Sequence, residues 1–386
     1  MSVSLKGVAA IVGVGQTDWA DDYHRVRAGE KPDTSYGYGA RAFVDALDDS
    51  GLTRNDVDGL VVAGGLAHER MSEILGLNPR WGAQTDAANA VMSAVMAIAT
   101  GMASVVALIQ GSDQRSAKVA YGGADTMGGN MVLSYIYHAP WGMTSQGALY
   151  ALMFRRYMEL HGCTEADLGQ VAVAQRFAAT LNQRAIMRKP MDLEGYLASP
   201  YVCEPLRVPD YCLINDGGVA LIVTDVARAR SLLKKPAVIH GIGRQDLSCN
   251  ATSLEPRLID FYRTAQSACA NAVFNMAAAG PEDMDCLQIY DSFSCHVPFA
   301  LEGYGYCGIG DAGRFMREGG IHLGGRLPVN TAGGHLSECY LQGWNHQIEA
   351  VRQLRGECGA RQVEGCRYVH YSSDVAGKAC SIIYGH

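Results

Sequence analysis

Two hydrophobic periods alternate along this chain, and the alternation comes round twice. Val8-Ala9-Ala10-Ile11-Val12-Gly13-Val14-Gly15 is an apolar run entering a Gly-rich turn, as a buried strand would be. A helical period follows, with Ala40, Phe43, Val44 and Leu47 on one face of a predicted helix over 40–50. Gly51 is placed to cap it in the left-handed conformation. Thr53-Arg54-Asn55-Asp56 then reads as an acidic helix-starting turn, and Leu60-Val61-Val62 as the next strand. Ala237-Val238-Ile239-His240-Gly241-Ile242-Gly243 begins the same series again. Ala272, Val273 and Met276 mark its helix over 268–278, Gly280 the cap, Pro281-Glu282-Asp283 the acidic turn and Leu287-Gln288-Ile289 the strand. Strands and helices in this order predict an α/β protein with parallel sheets, built from two duplicated halves. Two unrelated α/β units with similar patterns are the alternative.

Leu233-Lys234-Lys235-Pro236 breaks the pattern, so the expected halves are 1–233 and 234–386. The stretch 121–210 belongs to neither repeat. It holds helix signals over 146–160 and 164–179, and an insertion of this kind commonly covers a site and shapes its pocket. Within it, Tyr137-His138-Ala139-Pro140-Trp141-Gly142 is aromatic and turn-rich, either a pocket wall or a packed loop. Ala90 to Ile109 carries no charge and imitates a membrane span. Thr100-Gly101 interrupts it, and a small-residue helix followed by a buried strand fits it better.

Composition narrows the function. A 386-residue chain with a net charge of −7 and no Lys/Arg run offers no nucleic-acid surface. The N-terminus lacks a secretory pattern. The twelve cysteines follow no framework spacing, which predicts reduced thiols and a cytoplasmic protein. All twelve lie at or beyond Cys163, and no Cys-x-x-Cys pair occurs, so the chain carries no zinc ribbon of its own. No His-x-His or His-x-x-x-His spacing appears among the eleven histidines, so no metal is expected.

Two segments carry a resemblance. One is Gln288-Ile289-Tyr290-Asp291-Ser292-Phe293. The other is Asn330-Thr331-Ala332-Gly333-Gly334-His335-Leu336-Ser337-Glu338-Cys339-Tyr340, which continues through Gly343-Trp344-Asn345-His346 to Gly356. They resemble active-site loops of the thiolase superfamily, in its sterol-carrier and lipid-transfer branch, where the matching stretches read His-Asp-Cys-Phe and Gly-Gly…Gly-His-Pro. The resemblance covers nearly the whole chain. It implies a thiolase-like layered αβαβα fold and puts Tyr290 and Tyr340 where thiolases hold catalytic histidines. The window for the nucleophilic cysteine, Ala83 to Met92, has no thiol, and neither has the acid/base window, Tyr371 to Gly377. The Claisen machinery is therefore missing.

A phenol is a proton donor by default, and beside strong donors it can also serve as a base. Retro-aldol cleavage needs both steps: a base for a β-hydroxyl and an acid for the carbanion. The resemblance implies a retro-aldolase acting on a β-hydroxyacyl-CoA, because a subset of the branch shortens steroid or bile-acid side chains and carries tyrosines at these two positions. The products would be a ketone plus propionyl-CoA or acetyl-CoA. Tyr290 and Tyr340 are the expected catalytic pair, with Asp291, His335 and Gly377 in supporting or oxyanion roles. No covalently bound cofactor is expected, and the CoA thioester enters as substrate. The resemblance further implies a homodimer and a separate OB-fold partner with a zinc ribbon. Tyr304 and Tyr306 are rival candidates, and His296 and His346 read as packed or surface histidines. An acyltransferase with an unconventional nucleophile and a non-catalytic lipid carrier are the alternatives.

Overall fold

The protein is described by a computed structural model over residues 4–121, 143, 145–246, 262–374 and 378–386. The strands are β1 (Ala9–Gln16), β2 (Gly59–Ala63), β3 (Trp81–Gln84), β4 (Val105–Ser112), β5 (Tyr201–Cys203), β6 (Leu206–Arg207), β7 (Gly217–Asp225), β8 (Ala237–Asp246), β9 (Cys286–Ile289), β10 (Tyr368–Asp374) and β11 (Lys378–Gly385). The longer helices are α1 (Trp19–Arg27), α2 (Ser35–Ser50), α3 (His68–Leu75), α4 (Ala87–Ala99), α5 (Gln146–His161), α6 (Glu165–Thr180), α7 (Thr264–Ala277), α8 (His296–Gly303) and α9 (Trp344–Arg355).

Nine strands hydrogen-bond in the order β3-β2-β4-β7-β1-β8-β11-β10-β9. The centre of this sheet is a narrow seam, where β1 and β8 pair at Ala10–Val238 and Ile11–Ala237. The same succession runs outward on either side, since Val329 bridges Leu287 of β9 where β3 pairs with β2. Each half uses one close-approach device. A Cβ on Gly13 or Gly15 would meet the α2 carbonyls of Ala46 or Ala42 at 2.2 and 2.0 Å, and one on Gly241 would meet the Val273 carbonyl of α7 at 2.4 Å. Glycine lets each first helix lie directly on its first strand.

Two expectations are corrected. The sheet is mixed, not parallel. β2 pairs in parallel with β3 and β4, and β9 with β10, but β7 and β11 run antiparallel to their neighbours. β10 ends at Asp374 and β11 begins at Lys378, and so short a connection reverses the chain. β7 is apolar and buried almost throughout, a pattern that does not encode direction. Gly280 is also not the cap of the second helix. Ala278 takes the left-handed position at φ +49, its N–H returning to Phe274 and Asn275, while Gly280 starts the short helical turn 281–283.

The uncharged run 90–109 divides into α4 and β4, and among the described residues no helix is long and apolar enough to cross a membrane. α4 and α9 form a middle layer. Ala90, Val91 and Ala94 of α4 and Ile348 and Val351 of α9 pack with Ile11, Val106 and Leu221 from one half of the sheet and Val369 and Ile382 from the other. α2 and α3 cover one outer face, and α5 to α8 the other. The order is α-β-α-β-α. Tyr137 to Gly142 lie outside the described residues.

Candidate active site

Tyr290 follows the last residue of β9, and its backbone N–H donates to the Ser372 carbonyl of β10 at 2.8 Å. Tyr340 lies in the loop, residues 330–343, that leads into α9. That loop holds five residues in the left-handed region: Asn330 (φ +52), Gly333 (+114), Gly334 (+57), Gln342 (+52) and Gly343 (+87). Two of them are not glycine, and strain of this kind marks a backbone held for a purpose. The Asn330 side chain pins the loop to the strand end. Its Oδ1 accepts the Ile289 N–H at 2.7 Å and its Nδ2 donates to the Ile289 carbonyl at 2.9 Å. The buried Asn215, just before β7, accepts the Tyr340 N–H through Oδ1 at 2.6 Å.

These restraints bring the two phenols together, with hydroxyl oxygens 2.9 Å apart and ring planes 71° apart. Burial pushes both hydroxyls well above the usual phenol range. The bond from Tyr340 offsets part of that rise for Tyr290, while the proximity of Tyr290 lifts Tyr340 further.

His335, fully buried, lies edge-on to both rings, at 4.8 Å from the Tyr290 centroid and 4.9 Å from that of Tyr340. The Gly343 N–H donates to its Nε2 at 3.0 Å, so its own proton is on Nδ1, 3.3 Å from Asp291 Oδ1. The same carboxylate oxygen accepts the His335 backbone N–H at 3.0 Å and faces His346 Nε2 at 2.9 Å. Burial, aided by His346, holds His335 well below the usual imidazole range, so it stays neutral. Asp291, His335 and His346 bring their polar atoms within 4.8 Å of one another, a spacing a metal could use. A ligating histidine donates its remaining N–H, however, and His335 Nε2 accepts one instead. Asp291 instead ties the two histidines together, through the His335 backbone N–H and His346 Nε2.

Of the other sequence candidates, Gly377 lies outside the described residues. Tyr304 and Tyr306 are buried in the outer-layer core, where the Tyr306 hydroxyl bonds His370 Nδ1 at 2.6 Å. His296 is buried with Nε2 3.0 Å from Ser292 Oγ, and desolvation pushes it down to about 3. The window Ala83 to Met92 spans the end of β3 and the start of α4. Cys212 is the thiol that acts on both phenols, and burial pushes it up to about 12. It is no thiolate nucleophile at neutral pH. Asn215 and Gly343 are supports that the motifs alone did not single out. Asn215 stood in the sequence as an Asn before a Gly-rich turn, and only the fold brings it to Tyr340.

Comparison with known proteins places the chain in a family. A family described as "Thiolase C-terminal domain-like" matches residues 250–386. The chain is 33% identical to a 17-hydroxy-3-oxo-4-pregnene-20-carboxyl-CoA lyase of Mycobacterium tuberculosis, over 99% of this chain and 100% of that one. It is 33% identical to a steroid side-chain-cleaving aldolase of Thermomonospora curvata, over 92% of each. The solved structure of an Ltp2-ChsH2(DUF35) aldolase superposes with a TM-score of 0.87 at 30% identity, covering 99% of both chains.

Proposed function

This chain belongs to the thiolase superfamily, beside its steroid side-chain-cleaving aldolases, and from that premise we propose that it cleaves a β-hydroxyacyl-CoA by a retro-aldol reaction. The acyl group is a steroid side chain or a similarly bulky tertiary alcohol, and the products are a ketone and a short acyl-CoA such as propionyl-CoA or acetyl-CoA. The observation that carries this reading is the phenol pair at 2.9 Å, standing where thiolases hold histidines, with the neighbouring Cys212 thiol kept protonated by burial.

The pair supports an electroneutral proton relay. The β-hydroxyl gives its proton to one phenol oxygen as its O–H electrons form the ketone C=O. The Cα–Cβ bond breaks, and its electrons pass to Cα and the thioester carbonyl. The first phenol hands its own proton across the 2.9 Å bond, and the second phenol protonates Cα. Every proton is accounted for and no free CoA is consumed. The relay needs no ionised tyrosine, which suits two hydroxyls that burial keeps neutral. Asp291 and His335 act through position. The carboxylate accepts the His335 backbone N–H and so fixes the residue, and the edge of its imidazole lies against both phenol rings.

The edge strand β3, paired among the described residues only with β2, supports a homodimer. The Ltp2-ChsH2(DUF35) neighbour supports a separate partner protein, for which an OB-fold with a zinc ribbon is our reading. The described cysteines are all free, in keeping with a reducing, cytoplasmic setting. Incubation with a tertiary-alcohol acyl-CoA, without free CoA, tests the reaction class. Equal amounts of ketone and short acyl-CoA are expected by mass spectrometry. Cleavage that starts only when free CoA is added would overturn it in favour of thiolysis.

A further inference from the structure

A retro-aldol step moves charge onto the thioester oxygen, and both phenols of the pair are engaged in carrying protons. Another donor must face that oxygen. β10 presents Val369, Tyr371 and Ser373 in turn to the middle layer. Val369 and Tyr371 are enclosed in the core, while Ser373, at the strand end, is half-exposed. The strand therefore changes from core wall to site wall at Tyr371.

The Tyr371 side chain is completely buried, yet its hydroxyl has no hydrogen-bond partner among the described residues. Ser373, the next hydroxyl on the same face, comes near enough to ease the phenol slightly but completes no hydrogen bond with it. Phenylalanine would fill the same core space without stranding a polar group, so an unpartnered phenol here costs stability unless something else uses it. Its position says what could. A Cβ built on Gly343 would lie 2.1 Å from the Tyr371 hydroxyl and 3.3 Å from Cδ2 of Tyr290. The hydroxyl therefore sits under the catalytic loop beside the Tyr290 ring, in space that Gly343 leaves open.

We infer that Tyr371 donates the hydrogen bond that holds the thioester oxygen of the acyl-CoA while that oxygen carries enolate charge. The inference rests on the retro-aldol reading and adds a side-chain donor to it. The Tyr371 proton stays on its oxygen throughout. Burial keeps this phenol neutral well beyond its usual range, as a hydrogen-bond donor to an anion should be.

Tyr371→Phe tests the assignment through cleavage kinetics, melting temperature and exchange of the C2 proton of propionyl-CoA in heavy water. C2 exchange forms the enolate without the C–C step, the phenol pair taking the C2 proton and passing one on to water, so it reads enolate formation apart from cleavage. The expected result is a fall of about 10²–10³ in kcat, with a similar fall in C2 exchange, as for loss of one oxyanion donor. KM should stay close to wild type. The melting temperature should hold or rise, because the deleted hydroxyl had no partner. Undiminished cleavage or exchange in Tyr371→Phe would overturn the assignment, as would an activity loss matched by a lower melting temperature. Wild-type protein that cleaves nothing would instead defeat the retro-aldol reading, and C2 exchange would still judge Tyr371 by the same outcomes.

Discussion

The relay makes a firm statement about pH. An ordinary phenol is ionised about one part in 10³ at pH 7, and each further unit of pKa cuts that fraction tenfold. Burial raises both Tyr290 and Tyr340, so the neutral form prevails below the raised values and phenolate grows only above them. If the pair works neutral, kcat from single-turnover cleavage should be level from about pH 6 to about pH 9. If a phenolate base were required, kcat would climb about tenfold per pH unit across that range. Tyr340→Phe sharpens the test. It removes one member of the relay and also the hydrogen bond that eases Tyr290, so Tyr290 moves further up. Loss of positioned proton transfer costs about 10²–10⁴ in rate, or roughly 3–5 kcal/mol of barrier. Stopped-flow detection of ketone release over the pH series, for both proteins, gives the comparison. Unit slope through neutrality, or a Tyr340→Phe enzyme with unchanged rate, would refute the electroneutral relay.

Two supports give further tests. Asn215→Ala leaves the Tyr340 N–H without its acceptor at a buried site, which costs about 1–3 kcal/mol. A lower melting temperature and about a tenfold or greater loss of kcat are expected, with Asn215→Asp retaining an acceptor and most of both. Gly343→Ala forces an L residue into φ +87, roughly 1–2 kcal/mol in itself, and sets a methyl group 2.1 Å from the Tyr371 hydroxyl. Thermal melting should report a marked fall and the cleavage assay near-complete loss, whereas wild-type behaviour would show that the loop has slack.

Much of the layered fold was legible because its two halves repeat local signals. The Gly-x-Gly strands, the acidic turns and the helices over 40–50 and 268–278 are set by nearest-neighbour chemistry and recur in order. Strand direction was not legible. β7 and β11 are apolar whichever way they run, and their antiparallel pairing follows from how the chain returns to them. The Ala278 cap escaped because a left-handed alanine leaves no sequence mark where glycine stood two residues on. In the site, Tyr290 and Tyr340 were visible as departures from a familiar frame. Their 2.9 Å approach was not, since it depends on Asn215 and Asn330, which are distant in sequence from one or both phenols. His335 was visible as a neighbour in the motif, but its tautomer is set by the Gly343 N–H, a backbone contact that no sequence pattern specifies. Tyr371 lay in a window examined for a thiol, and its orphaned hydroxyl emerges only from packing.

The central claim is that the Tyr290–Tyr340 pair performs the cleavage. Its most direct test is the rate of ketone formation from a β-hydroxyacyl-CoA without free CoA, for wild type, Tyr290→Phe, Tyr340→Phe and the double variant, with melting temperatures alongside. Each single variant should lose about 10²–10⁴ in rate, and the double variant should lose little more than either, because a relay with one member missing is already broken. Wild-type rates in either single variant, or losses that multiply in the double variant as for two independent groups, would contradict the account.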